Sequence, residues 1–246
     1  MKINLLGGVD LFTWRTRVVP ALLATAPAIL LGVMSATLFP SSMRLWGAIS
    51  AGIATGLTLV ASLVARRAGH RIEPALFELW GGTPTTAALR HSGNTPKVEI
   101  LRRHTQVARV LGKDWKLPSA RREAEDPVAA DREYEAAVAR LRGVMRGRPE
   151  TALLQVENVN YGFARNLYGL KQFAQTIAVV VAALSILVLF VAQRLDAVGA
   201  WALFPFTGAC LALLLWRRVD IEYVHPAASA YAGRFIEALY KLPEIG

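Results

Sequence analysis

Cysteine is almost absent from this sequence, since its 246 residues contain only Cys210. One thiol cannot form an intrachain disulfide or a thiolate metal cluster, which excludes a disulfide scaffold and a cysteine-based zinc site within one chain. The four histidines lack metal-ligand spacing, and neither an HExxH nor a G-x-S-x-G motif occurs. The middle of the chain also lacks the alternating pattern of strands. We therefore expect an all-α protein that is not an enzyme and has no metal or other cofactor.

Charge is missing from four long stretches of the chain. Each has 18 to 22 residues without Asp, Glu, Lys, Arg or His: residues 18–39, 45–65, 173–192 and 199–216. A helix of about 20 residues rises about 30 Å, which matches the hydrocarbon thickness of a bilayer. We predict four transmembrane helices, and because they lack ionisable groups, the intramembrane proton relays of secondary transporters are not expected.

The short links between these stretches predict two antiparallel hairpins. Residues 40–44 join the first pair and residues 193–198 join the second. Lys and Arg concentrate at the opposite ends of the hairpins, where the positive-inside rule places the cytoplasm. We expect a multi-pass protein of the bacterial inner (plasma) membrane, in contact with membrane lipid and with both termini cytoplasmic.

The remaining segments are predicted to lie on the cytoplasmic side. Residues 1–17 have the pattern of an interfacial segment, and residues 217–246 that of a C-terminal amphipathic helix. Residues 66–172 form a basic domain with 19 Lys and Arg against 12 Asp and Glu, inserted between the second and third spans. That domain supplies most of the chain's net charge of +10.

Helix-start signals recur through the middle domain. Thr83-Pro84, Thr95-Pro96 and Asp126-Pro127 each place a capping side chain before a proline. Apolar spacing predicts helices over 96–111 and 127–145. A further helix from residue 150 to residue 170 is expected to continue into the third span.

Two stripes of small or polar residues accompany the spans. In the second span, Gly52 and Gly56 form a GxxxG pair beside a stripe that consists of Ala51, Thr55, Thr58 and Ser62. Asn158 and Asn166 lie on a similar face before the third span. Such stripes indicate either close helix packing or, in a homo-oligomer, the lining of a wet axis.

The glycine turn Trp80-Gly81-Gly82 precedes a threonine-rich helix start. Thr85 and Thr86 carry hydroxyls, and Arg90 and His91 follow one turn later. Hydroxyls, free N–H groups and a guanidinium can hold a phosphate. A plain capped helix after a glycine turn explains the same residues.

A second candidate ligand surface is basic and contains an aromatic ring. Arg102, Arg103 and Trp115 combine charge with a stacking surface, and Arg165 is a further cation beside the amide stripe. This pattern fits a nucleotide or oligonucleotide. It also fits a solvated face near anionic lipid headgroups.

Two segments carry a resemblance to a known family. WGGTPTTAALRH (80–91) and ENVNYGFARNLYGLK (157–171) resemble bacterial multi-pass membrane proteins with Trp-Gly-Gly-x-Pro-Thr-Thr and Glu-Asn-Val-Asn-Tyr-Gly-Phe segments. The resemblance covers roughly the middle domain and implies no catalytic residues. The layout is also similar to membrane effectors of bacterial antiviral signalling systems, in which a nucleotide signal controls a pore.

Two functions follow from these patterns as hypotheses. The first is a homo-oligomeric channel or pore-forming effector, gated through its cytoplasmic domain by a nucleotide or oligonucleotide in antiviral defence. The alternative is a non-conducting, membrane-anchored scaffold that binds a cytoplasmic partner or anionic lipid.

Overall fold

The chain folds almost entirely into helices, as its sequence predicts. The computed structural model describes residues 4–5, 9–38, 44–113, 115–192 and 197–243, and 85% of these described residues are helical. Two strands of two residues each, β1 (Asn4–Leu5) and β2 (Val9–Asp10), form an antiparallel pair that places Asn4 opposite Asp10. The expectation of an all-α protein is therefore confirmed.

The first half of the described chain contains five α-helices, one of which has 36 residues. The helices are α1 (Leu11–Thr13), α2 (Val19–Leu38), α3 (Arg44–Leu79), α4 (Pro84–Ala87) and α5 (Lys97–Leu111), with a π-helical turn, Trp14–Val18, between α1 and α2. The start and end of α5 agree with the sequence prediction for residues 96–111 within one residue.

The second half of the chain adds six further helices. They are α6 (Ala120–Glu125), α7 (Pro127–Met145), α8 (Ala152–Gly169), α9 (Lys171–Ala192), α10 (Ala197–Arg217) and α11 (Ile221–Lys241), and a 3-10 turn, Pro149–Thr151, precedes α8. The bounds of α7 match the predicted helix 127–145.

In the described part of the chain, three helical segments are long and apolar enough to cross a membrane. They are Leu11–Met34, Ala48–Ala87 and Lys171–Phe190, and the number rises to four if the bent pair of Ala202–Arg217 and Ile221–Lys241 counts as one span. Each of the four predicted apolar stretches thus lies largely within a helix. The two predicted links lie largely outside the described residues, as do most of residues 1–9.

The chain divides into two compact units. Unit 1 comprises residues 1–73 and 162–224, and unit 2 comprises residues 74–161 and 225–246. In unit 1, α2, α9 and α10 pack against one another. Small side chains fill these contacts, because Ala24, Ala174, Ala178 and Ala209 are all fully buried.

The core of unit 2 is assembled from helices far apart in sequence. Tyr134, Val138 and Leu141 of α7 pack in one apolar cluster with Phe235 and Leu239 of α11. All five are buried, so this core requires both the middle and the end of the chain.

The helix that contains the second predicted span extends beyond residue 65. Helix α3 continues through Arg66 and Arg67 to Leu79, with Pro74 inside it. Arginine is a good helix former, so a change from apolar to charged residues does not stop a helix. The stop comes at Gly81 and Gly82, whose φ angles of 68° and 123° favour glycine.

The predicted helix from 150 into the third span is interrupted at Leu170. Helix α8 ends at Gly169 and α9 begins at Lys171. A Cβ atom on Gly169 would lie 2.5 Å from the carbonyl carbon of Ala68, so glycine permits α3 and α8 to approach closely there. Residues 66–73 and 162–172, which the sequence assigns to the middle domain, lie in unit 1.

Candidate functional site

The threonines of the helix start that the sequence predicts to hold a phosphate form hydrogen bonds with one another. The Thr83 hydroxyl accepts from the Thr86 N–H at 3.3 Å and lies 2.8 Å from the Thr86 hydroxyl. Arg142 donates to the Thr85 hydroxyl at 3.2 Å. Thr85 and Thr86 are both buried, and α4, which they help to form, has only four residues. The geometry is that of a capped turn.

Arg90 links the glycine turn to α7 through hydrogen bonds. Its Nε and Nη2 each donate at 2.7 Å to a carboxylate oxygen of Asp131, and its Nη1 donates at 2.6 Å to the Gly81 carbonyl. A Cβ on Gly82 would clash with the guanidinium. Arg90 is therefore engaged in a bidentate ion pair within unit 2.

A buried carboxylate, Glu123, holds the loop that follows Arg90. It accepts from the backbone N–H groups of His91 and Ser92 at 2.8 and 2.9 Å, and from the Tyr134 hydroxyl at 2.7 Å. Burial alone would raise the pKa of Glu123, but these donors favour the ionised form and lower it to about 2. Burial and the nearby Glu123 charge raise the pKa of Tyr134.

Two histidines meet beside this carboxylate. The rings of His91 and His104 pack edge to face with centroids 4.8 Å apart. His91 Nε2 lies 3.2 Å from the Pro118 carbonyl, and His104 Nε2 lies 2.7 Å from the Leu89 carbonyl. Burial lowers the pKa of His104. No group of three or more potential metal ligands occurs in the described part of the chain.

The three basic-patch candidates occupy different surroundings. Arg103 donates to the Ala88 carbonyl at 2.7 Å and to Glu99 at 3.2 Å. Trp115 packs against the core of unit 2, whereas Arg102 is exposed. These residues do not form one stacking surface.

Arg165 and Asn166 join a polar chain inside unit 1. Arg165 Nη1 donates to Glu73 at 2.6 Å, and its Nη2 donates to Asn166 Oδ1 at 3.2 Å. Asn166 Nδ2 donates at 2.7 Å to the carbonyl of Thr16. In an α-helix that carbonyl would accept from residue 20, but Pro20 has no N–H. Asn158, the other predicted amide, is half-buried on α8.

The small-residue stripe of α3 is divided between an inner and an outer face. Ala51 packs against Gly32, where a Cβ would lie 3.1 Å from its Cα, and the Thr58 hydroxyl lies 2.7 Å from that of Thr25. Thr55 is exposed and donates to the Ala51 carbonyl, and half-buried Ser62 donates to the Leu59 carbonyl. Both inner contacts are with α2.

The outer face carries the glycine pair. Gly52 and Gly56 are exposed, and a Cβ on either would meet nothing within 4 Å in the described structure.

Unit 2 contains an open cavity of about 540 Å³. Its lining includes Trp80, the residue after the end of α3, and Pro84 and Ala87, the first and last residues of α4. Helix α11 contributes one wall, and α5 supplies two charged side chains. The α5 and α11 residues are Glu99, Arg103, His225, Ser229, Ala232, Gly233, Ile236, Glu237 and Tyr240.

The rings at this cavity are held by contacts of their own. Trp80 packs edge to face with His225 at 5.1 Å and lies 6.1 Å from Phe77. The Tyr240 hydroxyl donates to Glu99 at 3.2 Å. Among the ligand-binding residues predicted from sequence, Arg103 lines this cavity. The WGG motif was the available signal for Trp80. The apolar face of the C-terminal amphipathic helix predicted packing on the middle domain or on the membrane surface, but it did not indicate this cavity.

Comparison with known proteins identifies no family for this chain. No protein-family model, curated protein or solved structure matches the chain. The functional argument therefore rests on the residues themselves.

Proposed function

We propose that this protein is a membrane-anchored helical scaffold, with unit 2 as the module that binds a cytoplasmic partner or anionic lipid. The observation that carries this proposal is the set of three helical segments, or four with the bent pair, that are apolar enough to cross a membrane. In this arrangement two hairpins, built from residues 18–65 and 173–216, hold the protein in the bacterial inner membrane.

Contacts within the chain favour an anchor over a pore. Thr58 is bonded to Thr25, and Arg165 and Asn166 are bonded to partners in unit 1. Because these polar groups already have hydrogen-bond partners within the chain, helix packing explains them and no water-filled axis is required. Exposed cations such as Arg102 and Arg109 remain available to an acidic partner or an anionic leaflet.

Membrane topology provides the test of this proposal. In a Cys210→Ala background, Lys113→Cys probes the exposed surface of unit 2, and Ser41→Cys probes the first predicted link. We expect a membrane-impermeant maleimide to label Ser41→Cys on the periplasmic side of intact inner membrane and Lys113→Cys only after that membrane is opened. Extraction of the protein by alkaline carbonate, or the reverse labelling pattern, would contradict the proposal.

A homo-oligomeric channel is the second candidate function. It is favoured by the outer face of α3, where Gly52, Thr55 and Gly56 are exposed. A GxxxG pair permits close approach of a second helix backbone, which would place Thr55 near an oligomer axis. In this candidate, a nucleotide or oligonucleotide acting on the basic module gates the pore.

Conductance and oligomer mass together test the channel. If the protein is a channel, the purified protein will conduct in planar bilayers, and Gly56→Leu will abolish both the oligomer and the current. Thr58→Val is the matched control, because Thr58 faces α2 rather than the outer face. A monomeric mass and no current, with or without oligonucleotide, would exclude this candidate.

A further inference from the structure

The cavity of unit 2 has the size and lining of a small-molecule site. Its volume of about 540 Å³ lies within the range of roughly 300–1,000 Å³ that is typical of such sites. All its lining residues belong to unit 2, so the inference below does not depend on the membrane proposal.

The aromatic residues indicate what kind of ligand the cavity accommodates. Trp80, His225 and Tyr240 contribute three rings to its lining, and apolar contacts come from Pro84 and Ile236. Aromatic faces attract organic cations, and tryptophan does so most strongly. Gly233, where an added Cβ would meet nothing within 4 Å, leaves the α11 wall open.

Among the described residues of the lining, the carboxylates outnumber the arginines and lysines. Glu99 and Glu237 line the cavity, and Arg103 is the one Lys or Arg residue in this described set. Arg103 is already committed to Glu99 and to the Ala88 carbonyl. Glu237 pairs with Arg234 at 2.6 Å, but both side chains are more than 40% exposed, so a bound cation can replace that partner at little cost.

Tyr240 lies beside the Glu99 carboxylate at this wall, and its hydroxyl donates to Glu99 at 3.2 Å. Burial raises the pKa of the Tyr240 hydroxyl and the Glu99 carboxylate raises it further, although Arg103 and Arg102 act in the opposite direction.

The charged side chains of the cavity lining also disfavour a phosphate ligand. Two carboxylates repel an anion, and the cavity's arginine already has an acidic partner. The other candidate phosphate ligand, Arg90, is paired with Asp131. Phosphate groups usually bind where several donors or cations lack such partners.

We propose that this cavity binds a small organic ammonium ion, with the cationic head against the Trp80 ring and near the Glu237 carboxylate. A trimethylammonium group is the simplest example of this chemistry, because it offers charge and apolar surface together. The group can come from a free solute or from a lipid headgroup.

Calorimetric titration of the full chain with choline tests the proposal. The protein is held in phosphatidylglycerol nanodiscs, which contain no choline, and 3,3-dimethylbutan-1-ol serves as the uncharged isostere. We expect saturable choline binding and at least about tenfold weaker binding of the isostere, since a desolvated cation–π contact contributes roughly 1–2 kcal/mol. No choline binding up to about 10 mM, equal binding of the isostere, or tighter binding of AMP would overturn the proposal.

Matched variants assign the binding to the cavity. We expect Trp80→Leu and Glu237→Gln each to weaken choline binding by about fivefold or more, which corresponds to about 1 kcal/mol. Glu125→Gln, outside the cavity, should leave it unchanged. Glu237 is exposed, so its variant remains informative even if Trp80→Leu fails to fold. Unchanged affinity in Glu237→Gln would overturn the proposed head position.

Nanodisc composition separates the two sources of the ligand. If the natural ligand is a lipid headgroup, phosphatidylcholine nanodiscs will suppress the choline titration through competition. If it is a free solute, the titration will be the same in both lipids. Both results support an ammonium site and distinguish its source, whereas enhanced choline binding in phosphatidylcholine would contradict it.

Discussion

At the scale of single residues, Glu123 is the group on which the loop of unit 2 most depends. It is 5% exposed and accepts three hydrogen bonds that span 11 to 32 residues of sequence. A buried carboxylate with that many donors stabilises the fold in its ionised form, and removal of its charge leaves those donors with a weaker acceptor.

Glu123→Gln is predicted to destabilise unit 2 by about 2–3 kcal/mol. The amide retains the size of the side chain but cannot accept from all three donors as a carboxylate does. Chemical denaturation followed by tryptophan fluorescence measures the change. Glu125→Gln is the control, because Glu125 pairs with Arg121 on the exposed surface. Equal effects of the two variants would contradict the role of Glu123.

Acid should destabilise unit 2 through the same carboxyl group. Its pKa of about 2 in the folded protein lies below the ordinary 4.5, so the stabilisation is present above pH 4.5 and is lost as pH falls towards 2. The shift corresponds to about 3 kcal/mol. Denaturation midpoints measured between pH 6 and pH 3 check this, and the loss should be smaller in Glu123→Gln.

At the scale of elements, close helix approach in unit 1 depends on glycine and on one amide. A Cβ on Gly69 would clash with Asn166 Oδ1, and a Cβ on Gly162 would lie 3.2 Å from the Thr16 methyl group. The π-helical turn, α3 and α8 can therefore approach closely enough to share polar contacts only because glycine, which has no side chain, lies where they cross.

Gly69→Ala is predicted to destabilise unit 1 by about 1–3 kcal/mol, because the added methyl group displaces Asn166. Thermal unfolding in detergent measures the effect. Gly52→Ala provides the control at an open position of the same helix, where alanine should be neutral or stabilise by up to about 1 kcal/mol. Similar melting temperatures for the two variants would contradict the close packing at Gly69.

Asn166→Ala is predicted to cost about 1–3 kcal/mol, because the buried Thr16 carbonyl loses its donor. The second change Pro20→Ala restores an N–H to the position that an α-helix would use, so it should recover part of the loss. A double-mutant cycle in detergent measures this coupling. Purely additive effects would show that Asn166 does not compensate for Pro20.

At the scale of the whole molecule, unit 2 is completed by the end of the chain. Phe235 and Leu239 are fully buried in a core whose other members lie within residues 89–154 and at Ile236, Ala238 and Leu242. Gln106 of α5 also donates to the Leu239 carbonyl at 2.9 Å. The middle of the chain alone therefore lacks one wall of its core.

A chain that ends at residue 224 is predicted to leave unit 2 unfolded. Each large side chain that is removed from the core costs about 2–5 kcal/mol, and the total stability of a domain is usually about 5–15 kcal/mol. Hydrogen exchange of α7 amides measures the loss, and a chain ending at residue 243 is the control. Preserved protection of α7 in the shorter chain would contradict the shared core.

The sequence alone determined the local properties of this protein. Uncharged runs predicted the apolar helices, and proline and capping residues predicted the bounds of α5 and α7, because both signals depend on neighbours along the chain. Only the tertiary structure decided which polar residues have partners. The pairing of Arg90 with Asp131 and of Asn166 with Thr16 joins residues far apart in sequence. So does the cavity, which is lined by Trp80 after the end of α3 and by residues of α4, α5 and α11. Such contacts leave no periodic pattern along the chain that predicts them.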